Sequence, residues 1–152
     1  MKRLTCKLLL IAAVLSASIN AGAACDRQTI QGDFAASGSI GVWDGSDPDS
    51  IYEGYLAFRV TFDGRGGVTV RKGRIGALGQ NRQVWGNGSY LVESDCTGVV
   101  RLNMSSPEGR RGRIRLDIII SGDASNPRIT AFYSDPDEEA ETGLLHMDKM
   151  EI

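Results

Sequence analysis

Few side chains in this sequence belong to the types that perform covalent catalysis. His146 is the only histidine, and no serine stands in the Gly-x-Ser-x-Gly pattern that presents a nucleophile at a sharp turn. Cysteines and histidines do not cluster at the spacing of a zinc site. The sequence therefore indicates no catalytic residue, no metal site and no cofactor. A binding function is favoured over an enzymatic one, and we expect His146 on the surface or at a rim.

The first 23 residues have the order of a secretory signal peptide. Lysine and arginine open the chain, residues 8–15 are apolar, and residues 21–23 (Ala-Gly-Ala) form an A-x-A cleavage site. The apolar segment is too short for an ordinary transmembrane helix. We therefore expect residues 1–23 to be removed on export. Residues 24–152 would then form a single domain in the bacterial periplasm or outside the cell.

After removal of residues 1–23, the mature chain carries more acidic than basic residues. It has 14 lysines and arginines against 19 acidic residues, a net charge of −5. Such a protein is poorly suited to nucleic acid, because that affinity comes mainly from cations that displace counterions from phosphates. We expect a small-molecule ligand or a secreted protein partner instead, and a monomer or weak oligomer.

Period-two alternation of apolar and polar residues recurs along the mature chain, whereas helical periodicity is nearly absent. In residues 113–120 (RIRLDIII), aliphatic side chains occupy one face and charged side chains most of the other. Asp63-Gly64 is a hairpin-turn signal, since glycine adopts a positive φ at little cost. The pattern predicts eight strands, at about residues 31–42, 51–63, 67–75, 82–93, 97–105, 112–121, 128–134 and 143–151.

The connections between the predicted strands alternate in length. Those after even-numbered strands are tight (DGRG, SDCT and GDASNP), and those after odd-numbered strands are longer or richer in charge and glycine (WDGSDPDS, GALGQN, SSPEGRR and SDPDEEAET). In an up-and-down arrangement the two sets fall at opposite ends, which we name the tight end and the loop end. This predicts an eight-stranded antiparallel up-and-down β-barrel, with a two-sheet β-sandwich as the alternative.

Two cysteines remain after removal of Cys6, and an even pair in an oxidising compartment predicts a disulfide. Cys96 lies in the SDCT turn, and the first strand starts at the same tight end. Cys25 can reach Cys96 there if the N-terminal segment crosses the floor of the barrel. The alternative is lipidation of Cys25, although Gly22 stands where a bacterial lipobox carries an apolar residue.

Two segments of the chain resemble a recurring pattern in small secreted bacterial proteins. The pattern has an fDGxG hairpin, here residues 62–66, followed by G-x-Y-x-V-x-x-D-C-T-G, here residues 88–98. It is similar to lipocalin-like or allene-oxide-cyclase-like barrels, and it covers about the middle half of the mature chain. The resemblance implies a β-barrel and carries no catalytic residue over to this sequence.

Alternate residues of each strand are expected to point into the barrel. Those nearest the loop end are the candidate ligand-binding residues. There a pocket lined by Tyr52, Lys72, Arg74, Arg82 and Tyr133 would open among the long loops. Its cations favour an anionic ligand, because a guanidinium binds a carboxylate through two hydrogen bonds. The alternative is a filled barrel, in which the inward glycines only mark bends: Gly38, Gly54, Gly86 and Gly88.

Three charged segments have a second interpretation as binding sites. Residues 44–53 (DGSDPDSIYE) and 134–141 (SDPDEEAE) carry the carboxylates that Ca²⁺ prefers. Neither has the spacing of an EF-hand loop, so solvated acidic loops are favoured. Residues 108–116 (EGRRGRIRL) could form a basic stripe, but the net charge favours an ordinary solvated strand face.

Three classes of function remain. The favoured one is an exported binding module that takes a small, anionic ligand or a partner protein at its loop end. The second is a cyclase- or isomerase-like barrel enzyme, which orders a reactive substrate with few catalytic groups. The third is an eight-stranded outer-membrane barrel, which is disfavoured because aromatic residues make up only 7% of the chain and membrane barrels carry two aromatic girdles.

Overall fold

The computed structural model describes residues 24–43, 51–77, 79–123, 125–134 and 142–151, none of which is helical. These residues form eight strands, each with both ends within two residues of the predicted ones. The strands are β1 Gly32–Trp43, β2 Ile51–Phe62, β3 Gly67–Ala77, β4 Gln80–Val92, β5 Thr97–Ser105, β6 Arg111–Asp123, β7 Asn126–Ser134 and β8 Thr142–Lys149.

The strands form one closed antiparallel barrel in which every strand pairs with its neighbours in sequence. β8 returns to β1 and pairs with it from Phe34 opposite Lys149 to Gly41 opposite Thr142. Closure satisfies the strand edges that an open sheet would leave unpaired. The predicted up-and-down barrel is confirmed, and the sandwich alternative does not hold.

The inner face of the barrel is apolar and packed, as the alternation predicts. Near the tight end, Phe62 stands between Phe34 and Tyr90, with ring centroids 5.5 and 5.0 Å apart and both pairs edge to face. Such aromatic pairs add to the free energy gained by burying the rings. The bulky inward side chains of β1 to β4 towards this end are all buried: Phe34, Phe58, Val60, Phe62, Val68, Val70, Tyr90 and Val92.

The N-terminal segment crosses the floor of the barrel at the tight end. Ile30 is fully buried there, and the Tyr90 hydroxyl donates to the backbone carbonyl of Arg27 at 2.9 Å. Burial is the main reason that the pKa of Tyr90 lies above its ordinary value. Cys25 and Cys96 form a disulfide that ties this segment to the β4–β5 turn, so the predicted pairing is confirmed.

The three tight turns share one hydrogen-bonding arrangement. Asp63, Asp95 and Asp123 each accept the backbone N–H two residues further on, at 2.7, 3.0 and 2.9 Å. The pKa of Asp63 is lowered mainly by that N–H. The pKa values of Asp95 and Asp123 are lowered mainly by the hydroxyl group of the residue two positions on. These turns are therefore most stable with the carboxylates ionised.

β3 contains a bulge that reverses its inward and outward sides. The register shifts between Arg59 and Val60 on the β2 side, and between Val70 and Gly73 on the β4 side. Before the bulge Val70 is buried; after it Gly73 is the buried residue. Lys72 and Arg74 are exposed. The prediction that both point into the barrel is wrong, because a strand gains one residue at a bulge and its alternation changes phase.

Three of the inward glycines mark close approach of neighbouring strands rather than empty space: Gly38, Gly86 and Gly88. A Cβ at Gly88 would stand 1.8 Å from the Arg101 carbonyl oxygen, and one at Gly38 would stand 2.0 Å from the Leu144 carbonyl oxygen. A Cβ at Gly86 would meet the Asn103 carbonyl oxygen at 2.4 Å. These glycines let neighbouring backbones pack tightly around the barrel wall.

Candidate functional site

The inner face ends at the loop end in an open cavity of about 250 Å³, which we name the mouth. Its lining comes from β3 to β7 and from the β5–β6 connection. The lining residues are Ile75, Arg82, Val84, Met104, Ser105, Ser106, Arg110, Arg111, Gly112, Arg113, Ile114 and Tyr133.

Apolar side chains on the inward phase of four strands line the deeper part of the mouth. Val84, Met104 and Ile114 are buried, with 5–6% of their surface exposed, and Ile75 packs beside them. Gly112 lies opposite Met104, and a Cβ added to it would meet no atom within 4 Å. The wall is therefore recessed at Gly112, which leaves space beside the Met104 thioether.

Polar groups of the β5–β6 connection stand at the edge of this apolar surface. Ser106 is buried, and its hydroxyl donates to the Glu108 carboxylate at 2.6 Å. That hydrogen bond is the main cause of the lowered pKa of Glu108, and the nearby guanidinium groups of Arg82 and Arg110 lower it further. Glu108 is therefore ionised at neutral pH and is a weak base.

Arginines dominate the charge of the mouth. Arg82 is half-buried on the inward phase of β4, and it donates a hydrogen bond to the Gln80 side chain. Arg110, Arg111 and Arg113 are exposed along the β5–β6 rim. Among the described lining residues none is acidic, and the carboxylate of the β5–β6 connection is that of Glu108, which interacts with Arg82 and Arg110. An anion at the mouth would meet a positive rim over an apolar wall.

The structure brings together two of the five predicted ligand-binding residues. Arg82 and Tyr133 both line the mouth, on β4 and β7. Lys72 lies in the β3 bulge and Arg74 follows it, and neither residue lines the mouth. Tyr52 belongs to β2, but its side chain falls outside the described part of the structure.

The β5–β6 connection contributes to the mouth in a way that was not predicted from the sequence. Ser106, Arg110 and Arg111 line the mouth, although none of them was predicted to bind a ligand. The available signal was the segment SSPEGRR, which combines a loop-end position with clustered cations. Strand phase alone could not identify these residues, because they lie in or beside a turn.

The remaining sequence-based candidates lie elsewhere. Within the described ranges, no group of three or more His, Cys, Asp and Glu side chains could hold a metal ion. The acidic loops considered for calcium fall largely on residues 44–50 and 135–141, which lie outside the described residues. His146 is exposed on the outer face of β8.

A search of the described residues for a membrane-crossing helix, long and apolar enough to span a bilayer, finds none. Comparison with protein-family models, with curated proteins and with solved structures gives no match to this chain. The candidate site therefore rests on the geometry of the mouth.

Proposed function

We propose that this protein is an exported binding module that takes a small anionic ligand with a short apolar part at its mouth. The observation that carries the proposal is the combination of an apolar wall with a rim of arginines in one open cavity. The carboxylate of such a ligand would lie near Arg82 and Arg110, and its apolar part beside Val84, Met104 and Ile114. Arginine suits this role because its planar guanidinium binds carboxylates through paired hydrogen bonds.

The size of the mouth restricts the ligand. A volume of about 250 Å³ equals that of roughly eight water molecules. This lies below the usual range for drug-sized ligands and fits a compound of about ten non-hydrogen atoms. A medium-chain carboxylate has this size and the required division into charged and apolar parts.

The state of Glu108 favours binding over acid–base catalysis. Its lowered pKa makes it a poor proton acceptor near neutral pH, where an efficient general base has a pKa close to the ambient pH. Cyclase- or isomerase-like activity and a protein partner at the loop end stay predictions. The likeness to lipocalin-like barrels agrees with a ligand at the open end and also stays a prediction.

The disulfide and the charged outer face support the proposed export to water rather than to a lipid phase. A disulfide is typical of proteins in oxidising compartments. Arg59, Arg101 and Arg128 are exposed on the outer faces of β2, β5 and β7. Charges of this kind destabilise a barrel wall that faces the middle of a bilayer.

Binding of octanoate tests the proposal, since it has about ten non-hydrogen atoms and one carboxylate. Calorimetric titration should show binding of octanoate and much weaker binding of 1-octanol. Arg82→Ala should weaken octanoate binding roughly tenfold through loss of a charge-assisted hydrogen bond. Arg74→Ala is the matched control, because it removes the same charge from the exposed face of the neighbouring strand.

Glu108→Gln gives a change of opposite sign in the same titration. The substitution removes the carboxylate that competes for Arg82 and Arg110, while the amide oxygen can still accept from Ser106. Octanoate should therefore bind more tightly, by a few-fold. Equal losses from Arg82→Ala and Arg74→Ala, or equal binding of octanoate and octanol, would contradict a site at the mouth.

A further inference from the structure

The outer wall of the barrel carries a larger concavity, of about 900 Å³, which adjoins the mouth and shares Ser105, Arg111 and Arg113 with its lining. It runs across β3, β4, β5 and β6 on the solvent side. We name it the arginine–tryptophan groove and define it by its outward side chains: Thr69, Arg71, Trp85, Asn87, Asn103, Ser105, Arg111 and Arg113.

Strand register arranges these side chains in two rows. In one row Trp85 lies opposite Ser105, which lies opposite Arg111. In the other row Thr69, Asn87, Asn103 and Arg113 are opposite one another in turn. An aromatic ring, amides, hydroxyls and guanidinium groups therefore lie on one continuous sheet surface.

The β3 bulge supplies the cationic side next to Trp85. Arg71 and Lys72 both occupy the interval between the pairs Val70–Gly86 and Gly73–Val84, which contains Trp85 on the other strand. A bulge bends its strand and redirects side chains at the point of insertion. Arg71 thereby lines the groove. The bulge, which made the inward prediction for Lys72 and Arg74 wrong, thus brings a cation to the outer surface.

The chemistry of the groove is that of a site for a polar, negatively charged chain with ring faces. Trp85 is 41% exposed amid polar neighbours, so its indole presents a free apolar surface. The two asparagines offer amide donors and acceptors for hydroxyl groups. Arg71 and Arg111 supply positive charge, and among the described residues no Asp or Glu lines the groove.

We propose that the arginine–tryptophan groove binds an acidic oligosaccharide. The C–H face of a sugar ring would pack on Trp85, its hydroxyls would bind Asn87 and Asn103, and its carboxylates would bind Arg71 and Arg111. A volume of about 900 Å³ lies near the upper end of ligand-site volumes and suits several linked rings.

A single-stranded nucleic acid fits the same surface less well. Proteins that bind single strands offer successive aromatic side chains on which consecutive bases stack. Among the described residues that line the groove, Trp85 is the only aromatic one. One aromatic ring among amides favours a saccharide.

Tetragalacturonate, an acidic chain of linked sugar rings, is the probe for this proposal. Trp43→Phe leaves Trp85 as the only tryptophan, so its fluorescence reports on the groove. Added tetragalacturonate should change that fluorescence in a saturable way, and added salt should weaken binding by screening the arginines. Neutral cellotetraose should bind much more weakly.

Substitutions then locate the site. Trp85→Ala and Arg71→Ala, followed by calorimetry, should each weaken tetragalacturonate binding roughly tenfold, while Trp85→Phe should retain most of it. Neither residue lines the mouth, so octanoate binding should not change. The matched controls Phe132→Ala and Arg128→Ala alter an exposed ring and an exposed cation on β7, and should leave both ligands unaffected.

Three results would overturn the proposal. One is the absence of saturable tetragalacturonate binding to the Trp43→Phe protein when its melting temperature equals that of the wild type. Another is equal loss of binding in the groove variants and the β7 controls. The third is tighter binding of a ten-residue oligothymidylate than of tetragalacturonate. Failure of octanoate to bind would leave the groove standing, because its variants test it separately.

Discussion

Arg74 and Arg82 carry the same charge on neighbouring strands, but only Arg82 lines the mouth. Arg82 shares the inward phase of Val84 on an unbroken part of β4, so alternation in the sequence could identify it. Arg74 follows the bulge. Gly73 is the only local signal of that bulge, and a glycine in a strand equally marks a close approach between backbones. The alternation of inward and outward side chains could therefore not be predicted for the part of β3 that follows Gly73.

Cys96 holds a backbone conformation that non-glycine residues rarely adopt, with φ 66°. Its disulfide to Cys25 spans 71 residues of sequence. In the loop-closure treatment a link of that span stabilises the fold by about 4 kcal/mol, because it restricts the unfolded chain. The bond also holds the segment that covers the floor of the barrel.

The double variant Cys25→Ser/Cys96→Ser should therefore melt at a lower temperature than the wild type, by roughly 10 °C. Thermal unfolding followed by circular dichroism measures the difference. Dithiothreitol should lower the melting temperature of the wild type towards that of the variant and leave the variant unchanged. Equal melting temperatures of the oxidised wild type and the double variant would show that the bond contributes no stability.

β4 and β5 approach each other closely where β4 lacks a side chain. Gly88 lies opposite Leu102, with the carbonyl of Arg101 beside it. A Cβ would stand 1.8 Å from that carbonyl oxygen, so the backbone itself must move to admit one. Gly112 on β6 has the opposite environment, since a Cβ there meets nothing within 4 Å.

Gly88→Ala should destabilise the barrel by about 1–3 kcal/mol, whereas Gly112→Ala should be neutral or slightly stabilising. Urea unfolding measures both free energies. Because both glycines belong to strands and both changes add one methyl group, the pair separates steric clash from strand propensity. Similar effects of the two substitutions would contradict the close approach of β4 and β5.

The order and ends of the strands were predictable, because period-two alternation and turns such as Asp63-Gly64 are local properties of the sequence. An up-and-down barrel was predictable as one of two architectures, since alternating short and long connections place successive strands side by side. The depth of the mouth was not predictable from the sequence, because it depends on which side chains of neighbouring strands lie opposite one another. Met104 beside Gly86 and Gly112 is such a case.

Hydrogen-bonded carboxylates link the stability of the whole protein to pH. The pKa of Asp33 is lowered by the Thr61 hydroxyl and then by Arg59, and the three turn aspartates have lowered pKa values as described above. Three of these four aspartates lie in turns at the tight end. Acid should therefore weaken the connections around the floor of the barrel.

The sign follows from proton linkage. Each carboxyl has a lower pKa in the folded state than in the unfolded state, so the unfolded chain binds more protons in acid. The stability that the ionised carboxylates contribute is fully present above the pKa of the unfolded chain, about 4. It is lost as the pH falls through the lower pKa values of the folded state. Melting temperatures should be nearly constant from about pH 5 to 7 and should fall below about pH 4.

The control for this pH dependence is the variant Asp63→Asn, which cannot ionise at the first tight turn. Its melting temperature should be lower than that of the wild type at pH 7, and the difference should shrink as the pH falls below about 4, because the unfolded wild-type chain then binds a proton at Asp63 more readily than the folded one. A difference that does not change with pH would show that ionisation of Asp63 does not stabilise the turn.

The N–H of Met150 donates to the Asp33 carbonyl at 2.9 Å, and Cys25 is bonded to the β4–β5 turn. Both ends of the described chain therefore lie at the floor of the barrel, opposite the mouth. A tether or fused domain attached at either of these ends would join the barrel on the side away from the mouth. Immobilisation through such a tether would leave the mouth unobstructed by the tether itself.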